Sequence, residues 1–433
     1  MFLPRLACLD LDTFFVSVER LLDPTLVGRP VVVGGRTGDR GVVTSCSYEV
    51  RELGVRSGMS LRDAVRLAPN AHYIPTQHGV YGAYAARVKA VLEQWCPVVR
   101  TASIDEFFLD FHGCEGLYRE PGDADGDATI ERVVRAMRAD VQACVGLPAS
   151  VGIGVSRALA KMASGRAKPA GVLMVRAGQE HAFVDLLPAR RLPGIGPVAE
   201  GVLVAAGIAT LGQLRTTRHE DARVRGMAVA LADALRPSGP LPERERPAFL
   251  EHDDVPEGAL SNERTFFSAL GDLAGVEAAL QSLVERVTWR LRRRGGVAHT
   301  ITLKLRFADF TTLSRGRSGP PTNSEVDVWH VARALLHGAW DQRRRVRLLG
   351  VQLSNLGVSE PQMPLFPPAR PRAGVALDAI RERFGYDAVR LGAVAGFSPR
   401  QPGEKARVGK EHGDGALRGH PSAQARGDDS GAD

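Results

Sequence analysis

The chain has 433 residues, too many for one hydrophobic core and enough for several domains. Its 44% hydrophobic and 24% charged content is ordinary globular material, and no apolar run is long enough to span a bilayer, which argues against a membrane protein. A net charge of +7 favours a polyanionic partner.

Leu6-Ala7-Cys8-Leu9 opens the chain as a buried strand rather than a signal peptide, because no apolar segment precedes it and Asp10 and Asp12 follow at once. Val31-Val32-Val33 reads as a second strand. The spacing of apolar and small residues predicts a helix over 79–95, ending before Pro97. A second amphipathic helix is expected over 128–145, and Val151 to Val155 forms another strand. Such a mix fits an α+β domain with a mostly antiparallel sheet or an α/β one, and periodicity alone does not choose between them. From 171 to 237 the pattern becomes helical. Segment 237–250 has the proline and charge of an interdomain linker, 251–358 forms a third folded unit, and a short helix is expected over 376–391 before a polar tail. The five cysteines (Cys8, Cys46, Cys96, Cys114, Cys144) are odd in number and contain no Cys-x-x-Cys pair, so neither a zinc site nor a disulfide framework is indicated and a reducing cytosol suits them.

Two acidic sites stand out. Asp10 ends an apolar run, and Asp105-Glu106 opens another, Phe107-Phe108-Leu109. An acid at the end of a buried strand is costly unless it is neutralised, and coordination of Mg²⁺ by carboxylate, carbonyl and phosphate oxygens is one solution. Capping a strand or pairing with an arginine is the other, and for a single acid it is the commoner one.

The neighbouring residues decide between them. Asp10 through Glu19 (DLDTFFVSVE) resembles the first motif of Y-family DNA polymerases, and Ser103-Ile104-Asp105-Glu106 is similar to their second carboxylate motif. Ser47 through Met59 (SYEVRELGVRSGM) resembles the fingers motif, and Val151–Ser156 and Ala167–Gly171 match two further blocks in the same order. The resemblance covers about residues 5 to 390 and is nearest to the bacterial polymerase IV (DinB-type) branch. It implies that Asp10, Asp105, Glu106 and the backbone carbonyl of Leu11 hold two Mg²⁺ ions. It also implies that Tyr48, Arg51 and Lys168 contact the incoming triphosphate, and that Phe15 is a steric gate against a ribose 2′-OH. Val50 and Gly58 depart from the alanines common in the fingers motif, and Phe107-Phe108 stands where Tyr is frequent. None of these falls on a metal- or phosphate-binding position.

For DNA, Leu192-Pro193-Gly194-Ile195-Gly196 resembles a helix-hairpin-helix turn, in which Gly194 and Gly196 let backbone N–H groups approach a phosphate. In His299–Phe307 the residues Ile301, Leu303, Leu305 and Phe307 fall on one face, with Thr302, Lys304 and Arg306 on the other. Arg290, Arg292, Arg293, Arg294, Arg315 and Arg317 flank it with Asp309 the only acid near in sequence, which suggests a one-sided basic surface tracking phosphates. Ser261–Phe266 and Ala308–Thr312 match the family's little-finger domain. Gln362-Met363-Pro364-Leu365-Phe366 looks like a bacterial sliding-clamp peptide, carried by Gln362, Leu365 and Phe366.

The expected fold is therefore α+β and multidomain, a right-hand polymerase. Palm and fingers take 1–170, a helical thumb 171–237, a linker 238–250 and a little finger 251–358. Clamp peptide and short helix take 359–395, and the tail 396–433. The expected activity is template-directed, low-fidelity addition of dNTPs to a primer by a cytoplasmic monomer acting in damage tolerance, with primer-template DNA and the sliding clamp as partners. Two rivals are a catalytically inactive DNA-binding accessory factor of a mutagenic polymerase complex, which the intact carboxylates oppose, and a two-metal cyclase or nuclease, which the extra basic domain and clamp peptide oppose.

Overall fold

The computed structural model describes residues 5–39, 41–241, 258–358 and 373–389, in two units. The first runs to residue 258 and also takes 293–296, and the second takes the rest. Gln362, Leu365, Phe366, the tail and most of the expected linker lie outside the described residues.

The first unit begins β1 (Leu6–Leu11), α1 (Phe14–Leu22), β2 (Val31–Val33), β3 (Ser45–Cys46), α2 (Tyr48–Glu52), α3 (Leu61–Leu67), β4 (His72–Ile74) and α4 (His78–Trp95). It continues β5 (Val98–Thr101), β6 (Glu106–Asp110), α5 (Glu115–Tyr118), α6 (Gly126–Val145), β7 (Ala149–Gly154), α7 (Arg157–Ala167) and β8 (Val172–Met174). Five of these strands form one sheet in the order β5-β6-β1-β7-β8, antiparallel except for the β7–β8 edge pair. The central position of β1 explains its unbroken apolar run: Leu6, Ala7, Cys8 and Leu9 are all fully buried. A separate sheet, β3-β2-β4, carries α2 and α3 over its own small core around Val32, Val50 and Leu61. The sheet is thus the mostly antiparallel of the two alternatives.

β8 extends this sheet past residue 170, so the helical block starts later than expected, with α8 (Glu180–Asp185), α9 (Pro197–Ala205), α10 (Leu211–Thr216) and α11 (Ala222–Leu235). The segment expected as linker from 238 also begins pinned to this unit. Ser238 donates its N–H to Val155 O (2.8 Å), Leu241 donates to Asp110 Oδ2 (2.7 Å), and Leu241 is buried.

The second unit contains β9 (Ala259–Leu270), α12 (Leu273–Arg292), β10 (Gly296–Phe307), β11 (Thr312–Thr322), α13 (Glu325–Ala339), β12 (Val346–Val358) and α14 (Ala373–Phe384). Its sheet order is β11-β10-β12-β9. Along β10 the expected alternation holds: Ile301, Leu303, Leu305 and Phe307 are buried with α12 and α13 in the core, while Thr302, Lys304 and Arg306 are partly exposed.

Two features of the basic surface differ from the sequence reading. Arg292 is not a surface charge: its side chain is 10% exposed and its guanidinium holds Asp378 on α14 through two hydrogen bonds of 2.6 and 2.8 Å. Arg315 and Arg317 pair across the ladder with Leu303 and Ile301, so they lie on the opposite side of the sheet from Lys304 and Arg306, exposed at its edge strand. The open face also carries an acid remote in sequence. Lys304 Nζ meets both oxygens of Glu263 at 2.9 and 3.0 Å, and Gly350, Glu263's partner across the ladder, has no side chain to intervene.

Candidate active site

The site forms where β1 and β6 end together. Asp10 and Glu106 are direct partners in the antiparallel ladder, and Leu11 donates its N–H to Asp105 O (2.9 Å), so register alone brings the three acids to one sheet end. Asp105 accepts from Ser103 Oγ at 2.5 Å.

Helix α7 supplies cations to this end. It lies directly on β7 because Gly152 has no side chain: a Cβ there would sit 2.1 Å from both Ala160 O and Ser164 N. Lys168, at the C-terminal cap of α7, places Nζ 2.5 Å from Asp10 Oδ1. Lys161, on the same helix, places Nζ 2.5 Å from Glu106 Oε2, while Cys8 Sγ approaches Oε1 at 3.7 Å. Burial raises the Asp10 carboxyl above its ordinary range, Lys168 opposes that shift, and the neighbouring Asp105 and Glu106 charges add to it. Burial pulls the Lys161 ammonium down, but its hydrogen bond to Glu106 together with the Glu106 and other nearby negative charges turns the net shift upward. Burial pushes the Cys8 thiol well up, which keeps it a neutral donor.

Asp12 has a different part. It is 1% exposed and accepts from Ser150 Oγ (3.0 and 2.9 Å), from the Ala170 N–H (2.7 Å) and, at 3.5 Å, from the Tyr48 hydroxyl. Two residues in left-handed backbone conformations adjoin it, Thr13 (φ 44°) and Ala170 (φ 51°). Such conformations persist only where the surroundings over-determine them, and here Asp12 is the common tie.

Tyr48 reaches the site from α2, while Arg51 on the same helix touches Tyr48 and not the acids among the contacts of the described residues. Arg51 donates Nε to Cys46 O at 3.2 Å and its guanidinium lies 5.2 Å from the Tyr48 ring centroid. Burial, then the Asp12 charge, pushes the Tyr48 phenol up to about 12, so it stays a donor at neutral pH. Phe14 is buried in the core, whereas Phe15 is half-buried and stacks on Tyr81. Gly194 (φ 95°) and Gly196 sit exposed at the turn that leads into α9, with Gly196 as its N-terminal cap.

Thus the folded chain gathers Asp10, Asp105, Glu106, Tyr48 and Lys168, with Asp12 as a supporting acid and not a ligand, and adds Lys161, which sequence reasoning missed. The signal for Lys161 was its spacing: seven residues before Lys168, two helical turns, on the same face of α7. Among the described residues no three acidic, histidine or cysteine side chains converge enough to hold a metal unaided. That suits Mg²⁺, which characteristically takes one or two carboxylates together with substrate phosphates. Two ammonium groups already seated on Asp10 and Glu106 show that the site accommodates positive charge at both acids.

Comparison with known proteins gives the family. Residues 9–165 match the impB/mucB/samB family and residues 259–365 match its C-terminal domain. The DNA polymerase IV of Dehalococcoides mccartyi (strain CBDB1) is 35% identical over 399 residues, covering 90% of this chain and 98% of the relative. That of Streptomyces coelicolor is 38% identical over 355 residues, covering 82% and 71%. Among solved structures, a Y-family DNA polymerase chimera matches with a TM-score of 0.66 at 23% identity, covering 82% of this chain and 99% of that one. DinB from Sulfolobus solfataricus gives 0.52 at 25% identity with the same coverage.

The molecule is a DNA-directed DNA polymerase. Within that class the chain belongs to the impB/mucB/samB family, as a Y-family translesion polymerase of the DinB type. Among its described residues no helix is long and apolar enough to cross a membrane.

Proposed function

We propose that the chain extends a primer by attack of its 3′-OH on the α-phosphate of a dNTP, releasing pyrophosphate, at a site that takes two Mg²⁺ ions. The observation that carries this is the ladder pairing of Asp10 with Glu106 beside Asp105, with lysine ammoniums on two of the three acids. Asp10, Asp105, Glu106 and the Leu11 carbonyl would hold the ions. When bound, they would neutralise the charge that builds on the transferring phosphoryl group and on the attacking and leaving oxygens.

The chain's own residues do the rest. Lys168 leaves Asp10 for the triphosphate, acting as a point charge, while Arg51 grips it through its planar fork and Tyr48 donates its hydroxyl. Phe15 fills the space a 2′-OH would need, with no partner there for that hydroxyl. The backbone N–H groups at Gly194 and Gly196 approach a phosphate, Lys304 and Arg306 track the DNA backbone from the open face without reading bases, and Arg315 does so from the edge strand. Synthesis is of low fidelity and serves lesion bypass in damage tolerance. The enzyme works as a cytoplasmic monomer, and Gln362, Leu365 and Phe366 tether it to the sliding clamp. An inactive accessory factor would have no use for an intact set of acids and lysines.

Primer extension with and without Mg²⁺, on plain and lesion-bearing templates, tests this. Metal-dependent extension through a lesion supports it, and DNA binding without extension would return the chain to the accessory class.

A further inference from the structure

The two ion pairs at the active site are unlike each other. Lys168 and Asp10 are similarly covered, with side chains 26% and 24% exposed, and Lys168 also lies 3.9 Å from Asp12. The other pair is lopsided: the Glu106 side chain is 10% exposed and that of Lys161 is 45% exposed. A carboxylate so covered must have a partner, because an isolated charge away from water is strongly disfavoured. A lysine half in water has no such need. Its stem can swing its head into solvent at little cost. The contrast is with Arg292 and Asp378 of the second unit, 10% and 14% exposed, where neither partner has anywhere else to go.

The backbone prevents Glu106 from following. It is fixed in β6 by its ladder pairing to Asp10, and Ala102 and Ser103 both donate N–H groups to its carbonyl, at 2.9 and 3.2 Å. On the carboxylate itself the only other neighbour recorded among the described residues is the neutral Cys8 thiol, at 3.7 Å. Glu106 is likewise the one acid with which Lys161 forms an ion pair among those residues. In the mechanism proposed above Lys168 has a second anion to meet, the triphosphate, whereas the charges that act on Lys161 are those of this sheet end, Glu106 first and Asp10 after it.

We infer that Lys161 is a resident counter-ion of Glu106: its ammonium holds the carboxylate in place in the metal-free enzyme and competes with the divalent cation that enters. Lys161 is in this account a positioning residue, acting only through Glu106. The inference rests on the metal-binding reading of Glu106 proposed above. It has two consequences of opposite sign. Without Lys161 the metal-free protein loses the only cation on a covered acid and becomes less stable. The entering cation no longer displaces, or sits beside, a like charge and so binds more tightly.

The test uses the full-length protein as Lys161→Met and Lys161→Arg, with Glu106→Gln as a reference. Thermal unfolding is followed in EDTA, and Mn²⁺ binding is measured by electron paramagnetic resonance without DNA or nucleotide. Lys161→Met should melt lower in EDTA, bind Mn²⁺ about tenfold more tightly and regain more of its melting temperature when Mn²⁺ is added. Lys161→Arg should behave as wild type. Lys161→Gln is read in the same way if Lys161→Met does not fold. A Mn²⁺ affinity unchanged in Lys161→Met, in a protein whose Mn²⁺ binding is weakened by Glu106→Gln, would overturn the counter-ion role alone. Mn²⁺ binding indifferent to Glu106→Gln would instead remove the metal reading, and the inference with it.

Discussion

The Phe15 and Tyr81 rings stack with centroids 4.0 Å apart and planes 13° from parallel. Tyr81 is fully buried and its hydroxyl donates to Glu19 Oε1 at 2.5 Å, with Gln77 Nε2 donating to the same carboxylate. Phe15 is therefore backed by a ring that cannot yield. A steric gate needs such a backing, since a ring free to tilt would admit the hydroxyl it should exclude. Phe15→Ala should raise ribonucleotide insertion strongly while deoxynucleotide insertion falls much less. The ratio of the two insertion efficiencies, on one template with one metal, is the measurement. A ratio that stays put in a folded variant would make Phe15 part of the core only.

Asp12 should act on stability more than on chemistry. Asp12→Ala strands the buried Ser150 hydroxyl, frees the Ala170 N–H and removes the tie between two left-handed residues. A loss of about 3 kcal/mol in urea unfolding of the first unit is expected. A loss under about 1 kcal/mol, the size of an ordinary surface change, would show that Asp12 is not the hub described.

How much of this was legible beforehand follows the range of each interaction. The β10 alternation is local and was plain in Ile301, Leu303, Leu305 and Phe307. The acids Asp10, Asp105 and Glu106 were flagged by apolar runs beside them and by the family motif. Lys161 was not flagged, because its partner is 55 positions away and only the close approach of α7 over Gly152 brings them together. Arg292 looks like its neighbouring surface arginines because a charge run in sequence does not reveal which member a later helix will cover. Glu263 escaped notice beside Lys304 for the same reason: a sheet joins residues that the chain separates. The short β8 was absorbed into the helical block, since Val172-Leu173-Met174 is too brief to show a period.

The second unit depends on a buried charge cluster on α14. The Arg381 side chain is fully buried, with Glu285, Asp378 and Glu325 at 3.6, 3.7 and 3.8 Å. Burial raises the Glu325 carboxyl, and Arg381 and then Arg292 oppose that shift. Removing one member of such a cluster leaves the others uncompensated, so Arg381→Ala should destabilise this unit by roughly 3–5 kcal/mol in urea unfolding. A change below about 1 kcal/mol would mean that α14 contributes little to the fold.

For the clamp, Leu365→Ala with Phe366→Ala should weaken binding to a bacterial sliding clamp by about 2–4 kcal/mol, the range of apolar anchors at an interface. Primer extension in the absence of clamp should be unchanged. An unaltered clamp affinity in a direct binding assay reduces the peptide to linker.

The account stands or falls on the acids at the ends of β1 and β6. Single-nucleotide insertion on a primer-template with Mg²⁺ should be compared for wild type, Asp105→Ala, Glu106→Ala and the double variant, with DNA binding measured in parallel by fluorescence anisotropy. The account predicts that insertion falls at least about a thousandfold in each variant, as expected when charge stabilisation of the transferring group is removed, while DNA affinity is nearly unchanged. A folded double variant that inserts nucleotides at a rate comparable to wild type would contradict it and place the chemistry elsewhere in the chain.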